Sequence, residues 1–174
     1  SAQGTNGTGY NVRMFEIWQQ ILRVRTLTIC QVVAVQTAGK VAPVGRLTVR
    51  PLVQDIDGSG KTIDTANIYN VPYLRAQAGT NALIIDPKPG DIGLVGFCQR
   101  DIAAVKETLQ QSPPESARAY DYSDAVYLMT VLAVAAPERY ILLDDSGIEI
   151  VGKELFSIKA DSVEVETQTA ITTS

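Results

Sequence analysis

The chain has 174 residues, of which 45% are hydrophobic and 20% are charged, with 15 basic side chains, 19 acidic ones and no histidine. This composition is typical of a folded domain with an appendage, and the lack of histidine excludes every Ser-His or Cys-His catalytic arrangement and the commonest metal ligand. Residues 137–174 hold three basic and eight acidic side chains, a local net charge of −5, which argues against a polyanionic partner there because phosphate contacts require clustered Lys and Arg.

The first predicted element is a short amphipathic helix over residues 10–23. Apolar side chains, among them Val12, Phe15 and Ile17, recur there at about the period of a helix. Because an apolar stripe has to be covered, we expect this helix to pack either on its own domain or on a partner.

Five β segments are predicted between Arg25 and Arg100. β-branched residues are frequent in them, and Gly- and Pro-rich breaks separate them. Five strands in about 75 residues, with glycine at the bends, are typical of a small closed barrel such as an OB-fold. The segments are residues 27–36, 46–56, 61–74, 81–86 and 91–99.

A second helix is predicted over residues 100–111, with Asp101 as its N-cap, because the segment is rich in good helix formers. The prolines within residues 112–117 end this helix. Residues 113–138 are interpreted as a linker with an apolar middle.

From residue 139 onward the sequence predicts short strands, each with one apolar face. Burying this face within one chain would not offset the entropy of ordering the segment, and a lone meander would leave both of its edges unpaired. We therefore expect an intertwined homo-oligomer whose C-terminal part cannot fold as a monomer. Its candidate core residues are Ile148, Ile150, Phe156, Ile158, Val163, Val165 and Ile171.

The hexapeptide DGSGKT, residues 57–62, ends like a phosphate-binding loop. The full signature requires glycine at position 55, where this chain has Asp55, and a strand rather than a helix is predicted to follow. A calcium loop is excluded because Gly58 comes too early and no Glu closes the cage. The pattern therefore predicts a hairpin turn.

Other candidate chemistry is sparse. Asp144 and Asp145 are predicted to lie solvated in a turn. Cys30 and Cys98 lie in strand-like runs and are predicted to be buried free thiols, with a disulfide as the alternative. The sequence predicts no catalytic residue and no metal site, and hence a protein that is not an enzyme.

Several short motifs, in their order along residues 20–130, resemble the central baseplate spike proteins of contractile-tailed bacteriophages, which puncture cells. The motifs are Val71-Pro72-Tyr73-Leu74, Asp86-Pro87, Pro89-Gly90-Asp91, Arg100-Asp101-Ile102 and Ser123-Asp124-Ala125.

The resemblance implies a mainly β protein with an N-terminal OB-fold barrel, short flanking helices and a C-terminal intertwined triple-stranded β-helix in a homotrimer. Such a spike belongs to the tail baseplate of the virion and is assembled in the host cytoplasm. Its OB end sits on the baseplate hub protein, and its tip mechanically pierces the bacterial outer membrane. The implied divisions are an arm and helix at 1–24, the OB-fold domain with its helix at 25–112, a linker at 113–138 and the spike at 139–174.

Relatives in that family bind iron at the tip through a His-x-His pair, and this chain has no histidine. The resemblance therefore implies no cofactor of that kind. The tip would be closed by residues such as Thr169, Ile171 and Thr172, by another ion or by another protein. The alternative function is an OB-fold module that binds oligosaccharide or nucleic acid, although the near-neutral barrel segment and acidic tail disfavour nucleic acid.

Overall fold

The computed structural model describes residues 9–21, 24–37, 39, 41–133 and 135–166. The chain divides into two units, Ser1–Val134 and Ala135–Ser174. The described residues are mainly β with few helices, which confirms the predicted class. In chain order the elements are α1 (Gly9–Ile21), β1 (Leu27–Gln36), β2 (Arg46–Pro51), β3 (Asp55–Ile56), β4 (Thr62–Ile63), β5 (Ile68–Pro72), β6 (Ala76–Ala78), β7 (Asn81–Leu83), β8 (Ile92–Phe97), α2 (Ala103–Thr108), β9 (Ala125–Leu132), β10 (Tyr140–Asp144) and β11 (Gly147–Val151).

The first unit is built on a five-stranded antiparallel sheet in the order β5-β2-β1-β8-β9. Its two outer strands also approach each other. Tyr73, directly after β5, forms a parallel bridge with Tyr127 of β9, and the Leu74 N–H donates to the Tyr127 carbonyl oxygen at 2.9 Å. The sheet therefore curls until its edges meet, which encloses one apolar core.

The core of this unit lies inside the curled sheet. Tyr127 is its bulkiest fully buried side chain, and its hydroxyl lies 3.1 Å from Thr130 Oγ1. On the adjacent strand a Cβ at Gly93 would collide with that hydroxyl and with the Met129 carbonyl oxygen, so the ring requires glycine at this position. The buried apolar residues are Cys30, Val32, Leu47, Val49, Ile68, Val71, Tyr73, Val95, Phe97, Ala125 and Tyr127.

Strand β9 differs most from the sequence expectation. Its residues lie within 113–138, the predicted linker, yet they pair with β8 and bury Ala125 and Tyr127. The register shifts twice along this pair, between Ile92 and Gly93 and between Leu94 and Val95. Such irregularities break the alternation that identifies a strand in a sequence, so the segment resembled a connector.

Several other predicted elements are shorter or divided in the structure. Segment 46–56 is divided into β2 and β3, and segment 61–74 contains β4 and β5. Strands β3 and β4 pair with each other as a separate hairpin. Helix α2 covers six residues rather than the expected 100–111, and it ends where Leu109 adopts a left-handed conformation with φ of 54°. Ile102 occupies the N-cap position that was predicted for Asp101, although the Asp101 carboxylate still accepts the N–H of Ala103 at 3.0 Å.

Helix α1 confirms the first predicted element, with a correction to its apolar face. At about 100° per residue, Val12 and Phe15 lie on a different side from Ile17. The apolar stripe instead consists of Tyr10, Met14, Ile17, Trp18 and Ile21, and no residue of the helix is buried.

The described part of the second unit contains one hairpin, β10–β11, in which Tyr140 pairs with Val151 and Asp144 with Gly147. Within the described residues 152–166, no strand is formed. Residues 167–174 lie outside the described part of the chain.

Candidate functional site

The apolar side chains of the second unit are exposed to solvent. Six of the seven predicted core residues lie in the described chain, and each is between 55% and 71% exposed. These six are Ile148, Ile150, Phe156, Ile158, Val163 and Val165. The seventh, Ile171, and the candidate tip residues Thr169 and Thr172 lie outside the described residues.

No residue of the described part of this unit, 135–166, is buried. An isolated two-stranded hairpin is at best marginally stable in water, and three or more strands with a covered face are needed for independent stability. The apolar segment 135–166, as we define it here, therefore has no core of its own and is the candidate interaction surface of the molecule.

The turn of the β10–β11 hairpin contains the adjacent carboxylates of Asp144 and Asp145. Asp144 Oδ1 accepts hydrogen bonds from the Ser146 hydroxyl at 2.5 Å and from the Ser146 N–H at 2.8 Å, and these bonds lower the pKa of Asp144. Gly147 then adopts a φ of 138°. The predicted turn is confirmed, and its serine bonds stabilise a tight reversal.

The DGSGKT segment is a hairpin turn, as predicted, between β3 and β4. Asp57 Oδ1 accepts the Ser59 hydroxyl at 2.6 Å, the Ser59 N–H at 2.8 Å and the Lys61 N–H at 2.9 Å, and these bonds lower the pKa of Asp57. The backbone donors that a phosphate would need are thus already bound to a carboxylate. The segment resembles a phosphate-binding loop in sequence, but the N–H groups of Ser59 and Lys61 are already hydrogen-bonded within the turn.

A buried ionic cluster joins two of the motifs that carry the resemblance. Arg118 donates to Asp124 through Nε at 2.8 Å and Nη2 at 3.1 Å, and Nη2 also contacts Asp101. Both carboxylates are fully buried, and Asp124 additionally accepts the Ile102 N–H at 2.9 Å. Charge-assisted, bidentate bonds of this kind fix geometry, so the cluster fastens the start of α2 to the start of β9.

The electrostatics of this cluster match its geometry. Hydrogen bonds from the Ala103 N–H and from the Ser116 hydroxyl lower the pKa of Asp101. The hydrogen bonds to Asp124 raise the pKa of Arg118. Asp101 and Arg118 are therefore both held in their charged forms. This is typical of a structural ion pair and not of groups that transfer a proton.

A second arginine stabilises the other end of the barrel. Arg75, which is almost fully buried, donates to Asp86 through Nε at 3.0 Å and Nη2 at 2.6 Å. Its Nη1 donates to the carbonyl oxygen of Ala42 at 2.7 Å. Arg75 therefore ties the β6–β7 region to the loop before β2. The sequence analysis missed this ion pair, although Asp86 belongs to one of the quoted motifs and Arg75 directly follows another.

A cleft of about 560 Å³ lies beside the first unit and includes Arg25, Asp55, Phe97 and Tyr122 in its lining. The Arg25 guanidinium lies 4.3 Å from the centroid of the Tyr122 ring, and Phe97 packs edge-on against the same ring at 5.5 Å. This aromatic face is thus covered by the protein itself, which leaves little of it for stacking a base or a sugar.

Both cysteines are free thiols, as predicted. Cys30 is buried, and this burial raises its pKa to about 12. Cys98 is only half-buried, with its pKa raised by burial as well.

Within the described residues, no group of three or more His, Cys, Asp or Glu side chains is placed to hold a metal ion. None of the helices in that part of the chain has the length and apolar character needed to cross a membrane.

Comparison with known proteins identifies the first unit. A search of curated proteins found no match to the chain. The family described as phage protein Gp138 N-terminal domain matches residues 30–130, which cover the barrel strands and the Arg118 cluster. Because that match covers more than half of the chain, the protein belongs to this family and is a virion-associated structural protein of a phage.

Proposed function

We propose that this protein is the central spike of a contractile-tail baseplate and that it pierces the bacterial outer membrane mechanically. In this proposal the first unit is an OB-type barrel bound to the baseplate hub, and the C-terminal segment winds with two sister copies into a triple-stranded β-helix. The protein catalyses no reaction, and stiffness alone transmits the force of sheath contraction.

The observation that carries the proposal is the exposure of the apolar segment 135–166. The six predicted core residues that lie in the described chain are each more than half exposed in a single chain. Three copies wound about one axis would cover those residues and would pair every strand edge, while the acidic side chains between them face solvent.

The order of the barrel strands supports the OB-type assignment. Five strands in the order β5-β2-β1-β8-β9, joined at their edges by the Tyr73–Tyr127 bridge, make a small partly open barrel. The family match over residues 30–130 supports the placement of this barrel in a phage particle.

Light scattering coupled to gel filtration, followed by small-angle scattering, tests the proposal. We expect a mass three times that of the 18.8 kDa chain and an elongated particle. A monomer at micromolar concentration with an ordered C-terminal segment would contradict the proposal. Titration with single-stranded DNA and with oligosaccharides at low salt tests the alternative binding function, and we expect no saturable binding.

A further inference from the structure

The two faces of the β10–β11 hairpin differ in chemistry. Residues that pair directly across an antiparallel ladder lie on the same face, and neighbours along a strand lie on opposite faces. Ile141 pairs with Ile150, and Leu143 pairs with Ile148. These four side chains therefore form one face of the hairpin, named here the aliphatic face, and none of the four has a polar atom.

The opposite face carries the polar side chains of the two hairpin strands. Leu142 pairs there with Glu149, and Asp144 pairs with Gly147. The Tyr140 hydroxyl donates to Glu149 Oε1 at 3.5 Å, and the carboxylate of Asp144 is hydrogen-bonded within the turn. Because ionised carboxylates are costly to bury without a partner, this face belongs in water. The aliphatic face is therefore the one that has to be covered.

Only the strand register identifies the aliphatic face. The sequence is ambiguous because residues 141–143 are all apolar, which hides any alternation along β10. Exposure in a single chain is no guide either, since Leu143 is 69% exposed and Leu142 is 42% exposed. The register separates the two leucines by pairing Leu143 with Ile148 and Leu142 with Glu149.

The charge of the segment indicates which face three copies can share. Residues 137–174 carry a net charge of −5 in each copy. Contact through the opposite face would bring Asp144 and Glu149 of the copies together, and neither strand contains a basic residue that could neutralise them. Lys153, two residues after β11, already pairs with Glu138 at 2.7 Å.

Contact through the aliphatic face brings no charges together. An identical face of a sister copy is a suitable cover for it, because aliphatic contacts are non-directional and no hydrogen-bonding group has to find a partner. The carboxylates of the opposite face then stay in water on every copy.

We propose that the aliphatic face lines the common axis of the three copies and that the opposite face, including Leu142, lies on the outside of the spike. The inference rests on the proposed homotrimer. It adds Ile141 and Leu143 to the core residues Ile148 and Ile150, so that each copy contributes four aliphatic side chains to this layer of the core.

Cross-linking between identical positions of the full chain tests this orientation. One variant carries Leu143→Cys and the other Leu142→Cys, both with Cys98→Ser, and a short bismaleimide joins thiols that lie close together. Cys30 stays unreactive because it is buried. The two variants are a matched pair, since both replace a leucine of β10 and differ in the face on which the thiol lies.

We expect at least ten-fold more cross-linked product from Leu143→Cys than from Leu142→Cys, because side chains at a threefold axis converge whereas those on the outside diverge. Equal yields in a trimeric particle, or a higher yield from Leu142→Cys, would overturn the orientation and leave the homotrimer intact. A monomeric mass of the unsubstituted chain would overturn the homotrimer as well.

Charged substitutions give a second test that does not depend on thiol chemistry. A single chain would tolerate Leu143→Asp at least as well as Leu142→Asp, because Leu143 is the more exposed side chain. In the trimer the order is reversed, because Leu143→Asp places three carboxylates at the axis. Light scattering over a dilution series should show that half-assembly requires at least ten-fold more protein for Leu143→Asp than for Leu142→Asp. Equal requirements or the opposite order, with the unsubstituted chain trimeric, would overturn the orientation.

Discussion

The two units of this protein differ in whether a single chain buries their apolar residues. In its described residues the first unit buries eleven apolar side chains within one chain, and ion pairs centred on Arg75 and Arg118 fix its loops and strand ends. The apolar segment 135–166 has comparable apolar residues but buries none of them. Alternation of apolar and polar residues therefore specifies an apolar face of a strand. It does not specify which other surface covers that face.

The largest effect is expected for Ile158→Asp in the apolar segment. In a single chain Ile158 is 62% exposed, so a monomer would tolerate the charge at a cost below about 0.5 kcal/mol. In a homotrimer three copies are buried, and losing ~2 kcal/mol for each removes about 6 kcal/mol from the assembly. Light scattering should show dissociation.

The matched control for this variant is Lys159→Ala at the adjacent, alternate position. We expect its particle mass to stay trimeric. If Ile158→Asp behaved like this control, the segment would not be an assembly interface, and the contrast between the two units would have another cause.

A smaller effect, confined to the barrel, is expected for Asp124→Ala. Removing this fully buried carboxylate leaves Arg118 without its bidentate partner and the Ile102 N–H without its acceptor. Breaking a buried pair costs about 3–5 kcal/mol. Urea unfolding followed by circular dichroism should show this loss, while Asp161→Ala, in the exposed segment, should leave the barrel transition within about 0.5 kcal/mol of its original value.

The smallest effect is the acid sensitivity of the barrel. The pKa of Asp101 is lowered in the folded state by hydrogen bonds from Ala103 and Ser116. A carboxylate with a lowered folded pKa stabilises the fold above its unfolded pKa of about 3.9, and this contribution is lost as the pH falls towards the folded pKa. The urea midpoint should therefore decrease between pH 5 and pH 3.

Asp101→Asn is the variant that assigns this acid sensitivity. It should lower the midpoint at pH 7 and flatten the dependence between pH 5 and pH 3, because the asparagine does not titrate. An unchanged slope would show that other carboxylates cause the acid sensitivity.

Several local features were predictable from the sequence because their causes are local. The hairpin turns at Asp57 and Asp144 follow from an acidic residue two positions before a serine, with glycine close by. Strands β1 and β8 were located to within two residues because their apolar residues are β-branched and bounded by turn residues.

Other features depended on contacts between distant residues. Strand β9 was missed because its bulged pairing with β8 disturbs the alternation of its apolar residues. The clusters of Arg75 and Arg118 were missed since they join side chains that lie 6 to 17 positions apart. Nothing in the local pattern distinguishes such an arginine from a solvated one.

The sequence by itself determined the mainly β class and the turns, because these depend on the chemistry and spacing of neighbouring residues, whereas the strands expected within residues 152–166 are not formed. The tertiary structure decided which strands share a sheet, which charges are buried and which apolar faces stay uncovered, because these depend on packing between residues far apart in the chain. The closure of the sheet by the Tyr73–Tyr127 bridge, for example, joins residues that lie 54 positions apart in the sequence.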